Sequence, residues 1–262
     1  MNPLKISVRL ESLRLPLRAA MAEAQRFGVE GARFDARGDL APDRLSQTGR
    51  RELLHLLRGH NLSVAALGCP LRHGLDVEQD QQPRLEQVQK VMALSYELGA
   101  RVVLLEAGPV PADDSLASAR RLTEALTVLG QHGDRIGTVL ALATGLNDGA
   151  TLRKYLDRFD TAGLAVALDP ANWLMNGFDP YESGQALHGK VALAVARDAR
   201  TALANRQGQE VALGHGDLDW LKWLALLEEI EYRGWITVER EGGDQTAADV
   251  GAGVDFLRRI GV

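Results

Sequence analysis

The side chains best equipped for chemistry stand at the ends of short apolar runs. In "LAVALDPANWLMNG" (164–177) the run leads to Asp169, then to Pro170 and a turn rich in Asn and Gly. In "YRGWITVERE" (232–241) a second run leads to Glu239, with Glu241 two residues on. Paired carboxylates can hold a hard divalent cation or act as general acid and base. Two ionised carboxylates about 4 Å apart repel by about 4 kcal/mol at an effective dielectric near 20, so such a pair takes up a proton or recruits a cation. "VALAVARDA" (191–199) offers a cation in Arg197, and "LKISVRL" and "GARFDAR" offer Arg9 and Arg33. Glu106, Glu241 and His215 are candidate replacement donors, and Cys69 and His73 follow a further run.

Each of these residues also has a plainer reading. Asp169 is a good helix N-cap, with Pro170 suited to the first helical position. Glu239 also has the plainer reading of a solvated charge beyond a strand, because burying it unpaired would be costly. Arg197 reads as a rim salt bridge to Asp198 or Glu241, Glu106 as a rim charge and His215 as a loop residue. Cys69 suits a core. Trp173 is a candidate pocket wall or a subunit contact, and Trp220 and Trp223 are helix core or an oligomer contact.

The runs that position these residues recur through the whole chain. Strands are expected over 4–10, 31–37, 62–69, 101–108, 137–144, 163–169, 191–198 and 235–241. Between them lie helical patterns such as "LRAAMAEAQRFG", "RRELLHLLRGHN", "RLEQVQKVMALSYELG" and "LDWLKWLALLEEIEYRG". In the third, Leu85, Val88, Val91, Met92 and Tyr96 make a one-sided apolar stripe. Gly99, Gly130 and Gly234 are expected to end helices in the left-handed conformation. Strands that are continuously apolar imply a sheet covered on both faces. Eight βα units in about 250 residues fit one closed α/β barrel, (β/α)8, with chemistry at the C-terminal ends of its strands. An open doubly wound sheet is the alternative, but "VRLESLRLPL" lacks its Gly-rich phosphate loop. No linker or composition shift divides the chain, so residues 1–262 read as one domain.

The net charge of −5, without clustered Lys or Arg, argues against nucleic acid as a partner. No stretch approaches the roughly 20 apolar residues that span a bilayer, and the N-terminus lacks a signal-like apolar core. One cysteine fits a reducing cytoplasm. A small-molecule ligand is the expected partner, and a homo-oligomer stays open.

The segments "LDPANWLMNG", "VARDA", "LGHGDLDW" and "YRGWITVERE", with "GVEGARFDARG" and "SYELGARVVLLEAG" before them, resemble the xylose-isomerase-like TIM-barrel family in order and spacing. The resemblance implies a sugar or sugar-phosphate isomerase or epimerase. It also implies a divalent metal (Mn, Mg, Co or Zn) on a Glu, an Asp, a His and a Glu that end strands five to eight. Asp169 and Glu239 match the Asp and the second Glu. The first Glu, within an "ETG"-like ending, falls on Ala143 in "VLALATG" (139–145), and the His of "HARD" falls on Val195 in "VARDA". Half of the ligand set is therefore missing. The expected outcome is no cofactor, unless Glu106, Glu241 or His215 rebuilds the metal site. Arg197, with Arg9 or Arg33, is expected within about 6 Å of Asp169 and Glu239, supplying the missing positive charge. The function implied is an isomerase- or epimerase-like protein with a degenerate metal site, with Asp169, Glu239 and Arg197 at its centre. The alternative is a non-catalytic barrel that binds a sugar-like or anionic ligand or a protein partner. The endonuclease-IV-type relative needs a His-rich metal cluster, and none of the six His ends strands five to eight.

Overall fold

Alternation with a period of two decides which face of each strand looks inward, and here it builds the barrel from its interior outward. The computed structural model describes residues 4–201 and 208–261. Eight strands close in the order β1 (Lys5–Arg9), β10 (Trp235–Val238), β7 (Val191–Ala196), β6 (Leu164–Leu168), β5 (Val139–Ala143), β4 (Val102–Leu105), β3 (Ser63–Gly68), β2 (Gly31–Asp35) and back to β1. All eight pairings are parallel. The helices that cover the barrel are α1 (Leu17–Arg26), α2 (Gln47–Gly59), α3 (Gln81–Glu97), α4 (Ala117–Ile136), α5 (Gly149–Leu156), α6 (Pro170–Met175), α7 (Pro180–Ala186), α8 (Trp220–Glu229) and α9 (Thr246–Ile260). None of the described helices is long and apolar enough to cross a membrane.

Two separate apolar cores result. The larger lies between strands and helices and includes Val8, Phe34, Leu67, Met92, Leu142 and Val166. The smaller consists of strand residues alone, Ala66, Leu104, Ala141, Ala167, Leu193 and Val195, and fills the lumen. Ser7 and Thr237 belong to the same inward set; both are fully buried and share a hydroxyl–hydroxyl hydrogen bond of 2.7 Å. Two residues further along each strand come Arg9, Arg33, Gly68, Glu106, Ala143, Asp169, Arg197 and Glu239. The lumen packing thus fixes the ring of side chains at the mouth.

The expected strand 191–198 ends instead at Ala196. Asp198–Arg200 (β8) and Gln209–Val211 (β9) form a small antiparallel hairpin above the barrel. Asp198 anchors it by accepting bonds from the amides of Ala199, Gly214 and Gly216 and from Trp220 Nε1. Among the expected helix stops, Gly99 does adopt a positive φ of 82°. Gly130 lies inside α4, which runs on to Ile136 and exits at Gly137 with φ 73°. A Cβ on Gly130 would come within 2.8 Å of Thr161, so this glycine serves close packing. Near Gly234 the left-handed residue is Glu231, with φ 58°. Tyr96 leaves the apolar stripe of α3 and lies in solvent beside the Arg101 guanidinium.

Candidate active site at the barrel mouth

Asp169 follows β6 and does two jobs. Its backbone N–H donates to Thr144 Oγ1 at 2.8 Å, and its Oδ1 accepts from the Asn172 amide, capping α6. Its other oxygen, Oδ2, accepts from Arg197 Nη1 at 2.8 Å. Capping and charge pairing therefore coexist on one carboxylate. Across the mouth, Glu239 Oε1 accepts from Arg33 Nη1 at 2.6 Å, and Arg9 Nη1 lies 3.7 Å from Oε2. Asp35, the last residue of β2, accepts from Arg9 Nη2 at 3.0 Å.

Arg197 is the most heavily engaged cation of this ring. Its Nε donates to Glu210 Oε1 at 3.0 Å, and its Nη1 also donates to Asn172 Oδ1 at 3.2 Å. Its Nη2 donates to Glu241 Oε2 at 3.3 Å. A guanidinium has five N–H groups, so one Nη2 hydrogen has no partner among the described residues. Asp198, a sequence candidate for pairing with Arg197, is occupied by the hairpin instead. Burial would weaken the charge of Arg197, but Asp169, Glu241 and Glu210 outweigh it and hold the guanidinium firmly protonated. Burial would also weaken Arg9, and Glu239 and Asp35 reverse that. Burial pushes the carboxyls of Asp169 and Glu239 above their ordinary range, and the neighbouring guanidinium groups offset only part of the effect.

A divalent cation does not fit this donor set. Both carboxylates expected as ligands are already bonded to guanidinium groups, and the other two ligand positions carry Ala143 and Val195. Val195 is buried in the lumen core. A second cation about 4 Å from Arg197 would meet a repulsion of about 4 kcal/mol per charge at an effective dielectric near 20. Among the described residues, no group of three or more His, Cys, Asp or Glu side chains is arranged to hold a metal ion.

Space for a small molecule lies above the ring. A cavity of about 520 Å³ is lined by Asp76, Glu106, Ala143, Thr144, Asn172, Asn176, Arg197 and Glu241. An adjoining one of about 150 Å³ is lined by Arg9, Arg33, Asp35, Cys69, His73 and Glu106. Both Arg9 and Arg33 keep a buried Nε with no hydrogen-bond partner among the described residues. Glu106 is exposed just past β4 and faces both cavities.

Two candidates take other places. Trp173 is fully buried, donates to the Asn147 carbonyl at 2.9 Å and meets Trp223 edge-on, so it is core rather than pocket wall. His215 is exposed in the loop after β9, with Nδ1 3.3 Å from the Leu213 carbonyl. Trp220 and Trp223 are both buried in the helix–strand core. Cys69 is also buried, and burial, aided by Asp35, pushes its thiol up to about 12.

Glu210 is a site residue that the sequence motifs did not bring forward, whereas Asp35 is legible as a strand-end residue in step with Arg33. Glu210 sits in a three-residue strand with no periodic signal.

A closed eight-stranded α/β barrel with a charged mouth defines a class, and comparison of the sequence narrows it. The pattern of the xylose isomerase-like TIM barrel family matches residues 21–260, and the chain belongs to that family. A xylose isomerase domain protein from Planctomyces limnophilus superposes with a TM-score of 0.85 at 21% identity, covering 98% of this chain and 97% of the other. A 3-keto-D-glucoside 4-epimerase from E. coli gives 0.77 at 16%, covering 98% and 99%. A xylose isomerase-like barrel protein from Mycobacterium smegmatis, solved in complex with magnesium, gives 0.78 at 15%, covering 99% and 98%. At these identities the likeness is one of fold. No curated protein matches the sequence.

Proposed function

We propose that the protein binds a small polyhydroxylated, sugar-like molecule at the barrel mouth without the divalent-metal isomerase or epimerase chemistry of its family. One observation carries this reading: Asp169 and Glu239, the two matching ligand positions, are each bonded to a buried arginine at 2.8 and 2.6 Å. Carboxylates so engaged are neither open ligands nor free bases. Family membership and the epimerase neighbour support a sugar-like ligand. So does the lining of the larger cavity, where Thr144, Asn172, Asn176 and the spare Nη2 hydrogen of Arg197 offer donors and acceptors suited to hydroxyl groups.

The test combines elemental analysis of protein prepared without chelator with calorimetric titration of a panel of aldoses, ketoses and polyols. The expected result is substoichiometric metal, saturable binding of one or more neutral sugars, and no interconversion of the bound sugar by NMR. Stoichiometric Mn, Co or Zn, or a sugar turned over, would overturn the reading.

A second reading rests on Glu106, which lines both cavities and has no ion-pair partner among the described residues. In that case Glu106 moves a proton while the Arg197 guanidinium polarises a carbonyl, and Glu106→Gln abolishes turnover by about 100-fold or more.

A further inference from the structure

The strand order places β10 between β1 and β7, so the chain leaving β10 emerges between Arg9, at the end of β1, and Arg197, just past β7. Glu241 fills that place. Its Oε1 accepts from Arg9 Nη1 at 3.2 Å and its Oε2 from Arg197 Nη2 at 3.3 Å. The backbone of Glu241 is fixed, because its amide donates to Glu210 at 3.1 Å and its carbonyl accepts from Arg14 Nη2 at 2.9 Å. The side chain is held less firmly than its neighbours. Asp35, Asp169, Glu210 and Glu239 have side chains at most 9% exposed and meet a guanidinium nitrogen at 3.0, 2.8, 3.0 and 2.6 Å. The side chain of Glu241 is 49% exposed, and ion pairs as open as this contribute little to stability.

We propose that the Glu241 carboxylate keeps the place of a ligand's carboxylate. The mouth then takes a polyhydroxylated acid, uronate- or aldonate-like, whose acid group displaces Glu241 from Arg9 and Arg197. The proposal rests on the sugar-binding reading above and names the class of sugar. Arg197 and Glu241 both line the larger cavity, so a bound molecule reaches this ion pair from the open side. Arg197 is buried, and the nitrogen that holds Glu241 has a second hydrogen with no partner among the described residues. That nitrogen therefore keeps a donor for an incoming oxygen. The exchange is also neutral in charge. One carboxylate leaves for the water it already half faces, another replaces it, and neither arginine is left short of a partner. A phosphate dianion would bring an extra negative charge beside Asp169 and Glu210, and a neutral sugar gives Glu241 no cause to move.

The test is calorimetric titration of neutral sugars and alditols paired with their acids, glucose with glucuronate and glucitol with gluconate among them. The readout is the preference for the acid, as a ratio of Kd values. The native protein is expected to prefer the acid. In Glu241→Gln and Glu241→Ala the place is loosened or empty in advance, and the preference is expected to rise about tenfold or more, the scale of removing a competing closed state. The Gln variant, which keeps the side chain's shape, secures the measurement if Glu241→Ala folds poorly. Glu106→Gln takes one negative charge from the same cavities without vacating that place, and is expected to raise the preference about twofold or less. A crystal structure of an acid complex is expected to show the ligand carboxylate between Arg9 and Arg197, with Glu241 turned to solvent. Acids bound no better than their neutral counterparts, no rise in either Glu241 variant, or an equal rise with Glu106→Gln would each overturn the inference while leaving the function proposed above intact. Glucose 6-phosphate bound more tightly than glucuronate overturns the carboxylate assignment. A panel in which nothing binds overturns both readings.

Discussion

Removing the guanidinium of Arg33 would leave the buried Glu239 carboxylate with the more distant Arg9, at 3.7 Å, as its ion-pair partner among the described residues. Breaking a buried pair by deleting one partner costs about 3–5 kcal/mol, whereas replacing both by apolar groups is often neutral. Arg33→Met is therefore expected to lose about 3–5 kcal/mol in urea denaturation, and Arg33→Met/Glu239→Leu to recover most of it. A single variant as stable as the native protein would mean that the pair is not a buried one. Cys69 offers a second test at this scale. With its thiol pushed up to about 12 and its side chain buried, it should resist a thiol reagent near pH 8 in the native protein and react on unfolding. Parity along β7 brought Arg197 forward from sequence, and Asp169 and Glu239 stood out as charged ends of apolar runs. Trp173 misled because proximity in sequence to Asp169 does not say which way an indole turns.

At the scale of elements, the hairpin β8–β9 holds the mouth together through Glu210. Burial alone would raise this carboxyl, but Arg197 and the amides of Gly242 and Glu241 hold it below the ordinary glutamate range. A depressed folded pKa means that the unfolded chain binds the proton more readily. Glu210 therefore stabilises the fold fully above its ordinary value near 4.3, and that contribution is lost as pH falls through the depressed folded value. Asp169 and Glu239 are raised, so their contributions run oppositely and decline as pH rises through the folded values. Glu210→Gln should thus flatten the acid limb of stability below about pH 5, measured by urea denaturation. A variant with an acid limb as steep as that of the native protein would contradict this. Most barrel strands were legible in sequence because they are continuous apolar runs, as in Leu164–Leu168 and Val191–Ala196. The hairpin was not, because its strands of three residues carry no such signal and extend a run that reads as a single strand. The start of the short α6 was legible in Asp169-Pro170, an N-cap followed by the first helical position, whereas α7, which Asp179-Pro180 opens in the same way, went unread because seven residues carry little periodicity.

For the molecule as a whole, the critical event is closure of the seam between β1 and β10, which joins residues about 230 positions apart. The seam carries four paired positions, from Lys5↔Trp235 to Val8↔Val238, and the buried Ser7–Thr237 hydrogen bond lies inside it. Arg9 reaches Glu239 and Glu241 from the same seam, so the mouth cannot assemble until the barrel has closed. Pairing over so long a separation brings a large loop-closure entropy, and a barrel left open would expose strand edges and both apolar cores. Partial structures lacking the seam are therefore poorly stabilised, and unfolding is expected to be a single cooperative transition. The check is coincidence of midpoints from tryptophan fluorescence, which reports on Trp173, Trp220, Trp223 and Trp235, and from far-ultraviolet circular dichroism. Thr237→Val removes the buried hydroxyl partner of Ser7 and should cost about 1–3 kcal/mol, while Ser7→Ala/Thr237→Val, which leaves no polar atom stranded, should be closer to the native protein. Because the seam forms across the whole chain, the single variant should move both probes together. A fluorescence midpoint that shifted while the dichroism midpoint stayed would show that the two halves of the barrel unfold separately.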